Sequence, residues 1–362
     1  MGLTLATERA EAVRLRQRFI DAGAQNVECA ILQSAETLLD VYGEDIRART
    51  YVTQDPSRGE VMLRPDFTVP VVQMHMESGA APSRYTYCGE VFRRQEDHPE
   101  RASEYFQVGY ELFDGNDAAQ ADAEVFALFA DTLKSYDLRA VTGDIGILTA
   151  AVRALRVSQP RREALMRHIW RPRRFRALLD RYSGRAAVPP SRSALLAAPD
   201  PMAHAGPRIG LRSDAEIAER IAALRAEAAE GPLCLSQVQL IDTLLAVRET
   251  CSFALEHLHD IAVDLPGMRP AVERFERRCE ALAARGVDVS RLEFETSYGR
   301  SSMEYYDGFV FGFVPARRPD LPPIATGGRY DALTGRLGAG RSARAVGGVI
   351  RPGLLLQLET TA

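Results

Sequence analysis

The chain is short of several things at once, and each shortage removes a class of function. No apolar run approaches the ~20 residues that a helical membrane span needs, so a membrane protein is not expected. Cysteine is sparse and scattered. The five, Cys29, Cys88, Cys234, Cys251 and Cys279, are odd in number and include no C-x-x-C pair, so neither a disulfide framework nor a zinc site is indicated, and buried thiols are the default. Positive charge is not in excess: a formal net charge of −4 disfavours a polyanion such as nucleic acid as partner, although a local basic stripe would still hold one. Lysine is nearly absent, Lys134 being the only one, which carries no functional message. Met1 to Ala10 include Glu8 and Arg9 and lack the basic, apolar, small-residue order of a signal peptide, so a cytoplasmic location is expected. His257 and His259, two apart, point to different sides of a helix and make no metal pair, so neither a metal nor a cofactor is expected.

What is present is an ordinary globular composition, 46% hydrophobic and 26% charged. At 362 residues the chain exceeds the usual domain range of about 50 to 250, which implies one large core plus an insertion or second domain. Ala10, Val13, Leu15, Phe19 and Ile20 recur at helical spacing between Thr7 and Ala22, with Gly23 placed to cap the helix. Between Thr50 and Phe113 the period changes to two. Val61 to Leu63, Arg84 to Arg93 and Glu104 to Phe113 read as antiparallel strands. A helix over Ala118 to Tyr136, with Asp117 as N-cap, and a strand over Val141 to Leu148 follow. Residues 149–285 are mainly helical, with loops expected at Val188 to Pro207 and Asp264 to Arg269, and Trp170, the only tryptophan, packing inside. Strand patterns resume in Leu292 to Ser297, Tyr305 to Val314 and Ala345 to Ile350. The fold class expected is α+β: an antiparallel sheet begun in residues 1–148 and completed in 286–362, interrupted by a helical insertion at 149–285.

One hairpin looks like a site. Arg84 to Arg93 and Glu104 to Phe113 flank a long charged loop. Alternation puts Gln107, Gly109 and Glu111 on one face of the second strand, and Gly89 and Arg93 on one face of the first. Glycine inside a strand often marks close approach by a ligand or another backbone, so polar groups beside two such positions suggest a pocket floor. The plain alternative is a half-exposed sheet with a polar solvated face.

Leu63-Arg-Pro-Asp-Phe-Thr68, Tyr87-Cys-Gly-Glu-Val-Phe-Arg93 with Gln107-Val-Gly-Tyr-Glu111, and Ala325-Thr-Gly-Gly-Arg-Tyr-Asp331 together resemble the catalytic core of class II histidyl-tRNA synthetases. The resemblance implies a class II synthetase-like sheet flanked by helices. It also implies that Asp66, Thr68, Gln107, Glu111, Tyr305 and Tyr306 line a histidine pocket, with Arg93 and Arg101 as residual contacts to nucleotide phosphates. The chemistry suits those side chains: an ammonium group needs acceptors such as Asp66 and Gln107, and Glu111 would accept from an imidazole N–H.

The same resemblance exposes departures. Aligned on Tyr305-Tyr306, the family's catalytic arginine falls on Ser301, with Arg300 one residue early. If this segment is extended, that offset turns the guanidinium to the opposite face; if it is a loop, Arg300 could substitute. Near the C-terminus Gly353 and Leu354 stand where the family has Glu-Arg clamping the γ-phosphate, and Arg351 stands three residues early. Gln95 and Ser103 replace a glutamate and a basic residue of the long hairpin. Each lost electrostatic donor costs about 2.7 to 4 kcal/mol of transition-state stabilisation, so the synthetase reaction is expected to be lost. The chain stops at Ala362, and no anticodon-binding domain is expected.

A kept histidine pocket without its phosphate clamps is similar to the regulatory-subunit family of ATP phosphoribosyltransferase. That resemblance implies a non-catalytic protein of histidine biosynthesis that supports a short-form catalytic subunit and mediates feedback inhibition by histidine, as a self-dimer within a hetero-oligomer. The second reading is a tRNA-independent, histidine-activating enzyme forming an adenylate with Arg93 and Arg101 on ATP. A third, a tRNA-binding relic, rests on the arginine-dense run Arg161 to Arg176, whose plain explanation is a solvated helical face.

Overall fold

The computed structural model of the chain describes residues 4–44, 46–95, 101–114, 116–203, 205–207, 209–300 and 305–359. Helix α1 (Leu5–Asp21) is started by the Thr4 side chain, which accepts from the Thr7 amide, and Gly23 turns the chain away at φ +91°. After the short strand β1 (Gln25–Asn26) comes a small antiparallel sheet, ordered β2 (Leu32–Ser34), β4 (Gly59–Leu63), β3 (Val52–Asp55). Helices α2 (Ala35–Tyr42) and α3 (Ile46–Arg49) lie between its strands, and α4 (Thr68–Ser78) follows it.

The main sheet has nine strands in the order β1-β5-β6-β12-β11-β10-β7-β9-β8. Its further members are β5 (Ser83–Phe92), β6 (Glu104–Phe113), β7 (Leu138–Asp144), β8 (Arg248–Thr250), β9 (Glu293–Glu295), β10 (Phe309–Pro315), β11 (Ala325–Arg329) and β12 (Ala345–Ile350). Every pairing is antiparallel except β1 with β5 and β7 with β9. Neighbours far apart in sequence pair directly: β6 lies beside β12 within the sheet.

Helix α5 (Ala118–Leu133) begins at Asp117, whose carboxylate accepts from the Ala119 and Gln120 amides. Helices α6 (Ile145–Ala154), α7 (Gln159–Arg167), α8 (Pro172–Tyr182), α9 (Pro190–Ala197), α10 (Asp214–Ala229), α11 (Leu235–Ala246), α12 (Cys251–Asp264) and α13 (Arg269–Ala284) fill the middle third. Helices α14 (Asp331–Leu337) and α15 (Pro352–Glu359) complete the chain. No helix among the described residues is long and apolar enough to cross a membrane.

The period of two in β6 separates the two faces of the sheet. Phe106, Val108, Tyr110 and Leu112 enter one core with Phe19 of α1 and Phe126 and Phe129 of α5. Phe113 enters another with Val69, Val72 and Met76 of α4 and Leu38 of α2. Gln107 and Glu111 alternate to that second side.

Three local expectations are corrected. The strand expected to run to Leu148 ends at Asp144, because that carboxylate accepts from the Gly146 amide at 2.8 Å and starts α6. The expected loop at Val188 to Pro207 contains α9, which has proline in its first turn, where the missing N–H costs nothing. The stretch 149–285 is mainly helical as expected and adds one short strand, β8, which pairs with β9, while Phe275 of α13 lies 4.6 Å from Phe294, ring to ring. The arginine run is not simply a solvated face. Arg161 is buried, pairs with Glu230 at 3.0 Å and lies over the Tyr182 ring, while Arg176 pairs with Asp242.

Candidate functional site

Glu111 is the centre of the polar cluster on the α4 side of the sheet, and it is 1% exposed. Its Oε1 accepts from Thr68 Oγ1 at 2.9 Å and from the Tyr87 hydroxyl at 2.8 Å, and its Oε2 accepts from the Tyr330 hydroxyl at 2.6 Å. A carboxylate has about four acceptor positions, so one on Oε2 is left for an incoming N–H. Burial pushes its pKa up to about 7, against the three hydroxyl donors, which favour the charged form. Gly347, paired with Glu111 across β12, makes this placement possible: a Cβ there would lie 1.6 Å from Oε2.

Asp66, just before α4, is also buried. Its Oδ2 accepts from the Tyr42 hydroxyl and its Oδ1 from the Val69 amide at 3.4 Å. Tyr305 and Tyr306 meet edge to face with centroids 4.9 Å apart, and Tyr305 lies 5.9 Å from Tyr42 and 6.0 Å from Tyr330. Gln107 is 0% exposed, yet neither its Oε1 nor its Nε2 has a hydrogen-bond partner among the described residues. A buried amide left open on both atoms is costly, and this one faces the side on which Glu111 stands. Asp66, Thr68, Gln107, Glu111, Tyr305 and Tyr306 are therefore gathered on one face of the sheet.

The arginines divide. Arg93 joins the cluster: its Nε donates to Pro65 O at 2.7 Å, and although burial works against its charge, Tyr105 and Asp66 raise its pKa. Arg101 is exposed in the segment leading into β6. Arg300 lies in a turn but does not substitute for a pocket arginine. Its Nε donates to Ile169 O at 2.8 Å, its guanidinium lies over the Phe175 ring, and burial beside Arg176 lowers its pKa to about 10. Ser301, where the resemblance puts the catalytic arginine, lies outside the described residues. At Gly353 the space a side chain would take is closed by Glu8, whose Oε1 would lie 2.7 Å from a Cβ.

The strand glycines play a different part from the one expected. They make room for the protein's own side chains instead of for a ligand. A Cβ at Gly109 would lie 2.1 Å from the Tyr87 ring, one at Gly89 would lie 2.7 Å from Arg64 Nη2, and one at Gly328 would lie 2.8 Å from the Tyr306 ring. Three residues of the site were not singled out from sequence: Tyr42, Tyr87 and Tyr330. The last two stand inside the motifs that carried the resemblance, whereas Tyr42 had no signal, since only the packing of α2 brings it to Asp66. Trp170 also reaches the site, donating from Nε1 to Tyr306 O at 3.2 Å.

Glu111 makes a pH prediction. A carboxyl whose folded pKa lies above its unfolded value stabilises the fold below the unfolded value and loses that contribution as pH rises through the folded one. With a folded value of about 7 against an ordinary 4.5, about 3 kcal/mol of stability disappears between pH 4.5 and 8. Urea unfolding across that range should show the decline, and Glu111→Gln should flatten it by about that amount. An identical slope in both proteins would refute the assignment.

The chain matches the histidyl-tRNA synthetase family over residues 5–203 and 213–352. It is 32% identical over 352 residues to an ATP phosphoribosyltransferase regulatory subunit of Brucella anthropi, covering 90% of each chain. It is 31% identical over 344 residues to the protein of that name from Brucella ovis, again covering 90% of each. Among solved structures, it resembles an ATP phosphoribosyltransferase regulatory subunit/histidyl-tRNA synthetase from Bacillus halodurans, with a TM-score of 0.69, 22% identity, and coverage of 99% of this chain and 81% of that one. It also resembles a histidyl-tRNA synthetase from Nostoc, with a TM-score of 0.65, 17% identity, and coverage of 98% and 72%. The structural likenesses establish the class II synthetase-like fold.

Proposed function

Because this chain belongs to the family of ATP phosphoribosyltransferase regulatory subunits, within the wider histidyl-tRNA synthetase family, we propose that it supports a short-form catalytic phosphoribosyltransferase and makes that enzyme sensitive to histidine. It performs no catalysis of its own. The observation that carries this reading is an amino-acid cradle beside dismantled phosphate clamps: Glu111 has one open acceptor position and Gln107 an open amide, while Arg300 is turned away to Phe175 and Gly353 carries no side chain.

In this reading, histidine presents its imidazole N–H to Glu111 Oε2 and its ammonium to Asp66 and Gln107 Oε1. Thr68 orients the Glu111 carboxylate, and Tyr305 and Tyr306 form the wall. Arg93 and Arg101 are residual anion contacts. Feedback inhibition follows only if histidine binds the inhibited arrangement of the complex more tightly than the active one, since equal affinity shifts nothing. The protein works in the cytoplasm as a self-dimer inside a hetero-oligomer. Residues 1–148 and 286–362 form the synthetase-like core, and 149–285 are inserted into it.

Reconstitution tests the proposal. Mixed with a short catalytic subunit, this chain should co-elute with it and raise its phosphoribosyltransferase activity, and added histidine should lower that activity again. Histidine-dependent exchange of pyrophosphate into ATP should stay at background. Robust exchange would instead establish the adenylate-forming reading and overturn this one.

A further inference from the structure

Arg351 stands outside the family's phosphate motif, yet the sheet carries it into the site. The β6/β12 register pairs Ile350 with Val108, and one further step sets Arg351 beside Gln107. Its side chain lies on the Glu111 side: Nη2 donates to Thr326 Oγ1 at 3.3 Å and Nη1 to Pro323 O at 2.7 Å. Both acceptors are neutral. Arg93 likewise spends its Nε on a neutral carbonyl, Pro65 O, and neither guanidinium is ion-paired to a carboxylate among the described residues. The two are close enough that Arg93 adds to burial in lowering the Arg351 pKa, while the Tyr105 hydroxyl works the other way. Two partly buried guanidiniums on the Gln107 side of the sheet, each spent on neutral acceptors, beside a buried amide open on both atoms, form an arrangement that an anion would complete.

We propose that Arg351 and Arg93 form the carboxylate clamp of this pocket, gripping the α-carboxylate of a free amino acid beside Gln107. The inference rests on the histidine reading above and deepens it, because it makes Arg351 the residue that selects a ligand with an ionised carboxylate. The planar guanidinium fork matches a carboxylate with two parallel N–H donors. The same pair would also accept a phosphate oxygen, but Gln107 decides between the two. Its amide sets an NH2 donor group and a carbonyl acceptor side by side, which a zwitterion uses together, on carboxylate and ammonium, whereas a phosphate dianion uses only the donor group.

Calorimetry on the full chain, with histidine and histidinamide as ligands, tests this. The unmodified chain should bind histidine about 30-fold more tightly than histidinamide. Arg351→Ala should erase that preference, weakening histidine about 30-fold while leaving histidinamide within about twofold; Arg351→Lys should restore only part of it. Equal loss for both ligands overturns the clamp, and so does magnesium–ATP binding that falls in Arg351→Ala while histidine binding does not, an outcome that assigns the pair to phosphate. If Arg351→Ala fails to fold, the two ligands on the unmodified chain still decide, since equal affinities refute the clamp. The underlying reading fails separately: it falls, and the clamp with it, if the unmodified chain binds no histidine, whereas histidine binding that is weakened by Glu111→Gln but keeps no preference over histidinamide sinks the clamp alone.

Discussion

Asp122→Ala should destabilise the chain by about 3 to 5 kcal/mol, the largest loss expected from any single side chain described above. Asp122 comes from α5 and is 3% exposed. Its Oδ1 takes the Arg329 Nε at 2.9 Å and Nη2 at 2.7 Å, and its Oδ2 lies 3.5 Å from Arg278 Nη1. Arg278 turns its Nη2 to Asp144 at 2.8 Å, and Arg329 its Nη1 to Asp331 at 2.9 Å. Helix α5, helix α13 and strands β7 and β11 are thus fastened at one buried point. Removing the shared carboxylate leaves two largely buried guanidiniums each one partner short, Arg278 with Asp144 alone and Arg329 with Asp331 alone. Urea denaturation would measure the loss. A change under about 1 kcal/mol would mean that the remaining carboxylates already balance both arginines.

Glu111→Ala should weaken histidine binding about 100-fold. Two effects combine: the charged acceptor for the imidazole N–H is lost, and the hydroxyls of Thr68, Tyr87 and Tyr330 lose the group they converge on. The reconstituted complex should lose histidine inhibition in parallel while still co-eluting with its catalytic partner. Calorimetry, with near-ultraviolet circular dichroism as the check on folding, distinguishes this from general collapse. Unchanged affinity in a folded variant would remove this pocket from the regulatory reading and point to a site elsewhere in the complex.

Much of the site was legible in the sequence, because chemistry and periodicity coincide in β6. Gln107, Gly109 and Glu111 sit two apart in a strand whose intervening residues are apolar, so a polar face opposite a core follows from alternation alone. Asp66 and Thr68 were legible only through the motif that holds them, since nothing local says that the start of α4 will meet Glu111. Other details escaped for identifiable reasons. The end of β7 depended on Asp144 acting as a cap, and a lone aspartate in an apolar run does not announce that role. Arg300 could be left only as a conditional, because its direction depends on Ile169 and Phe175, both far away in the chain.

Strand alternation, helix caps and motif spacing act over a few residues, so the layered α+β plan, the family and the candidate side chains for an amino acid could all be read without coordinates. Only the tertiary structure decided what the glycines make room for, where the arginines point and which acceptors stay open. Those outcomes are set by register between β6 and β12 and by packing of α2 and α4 on the sheet, contacts between residues well separated in the chain that no local pattern encodes.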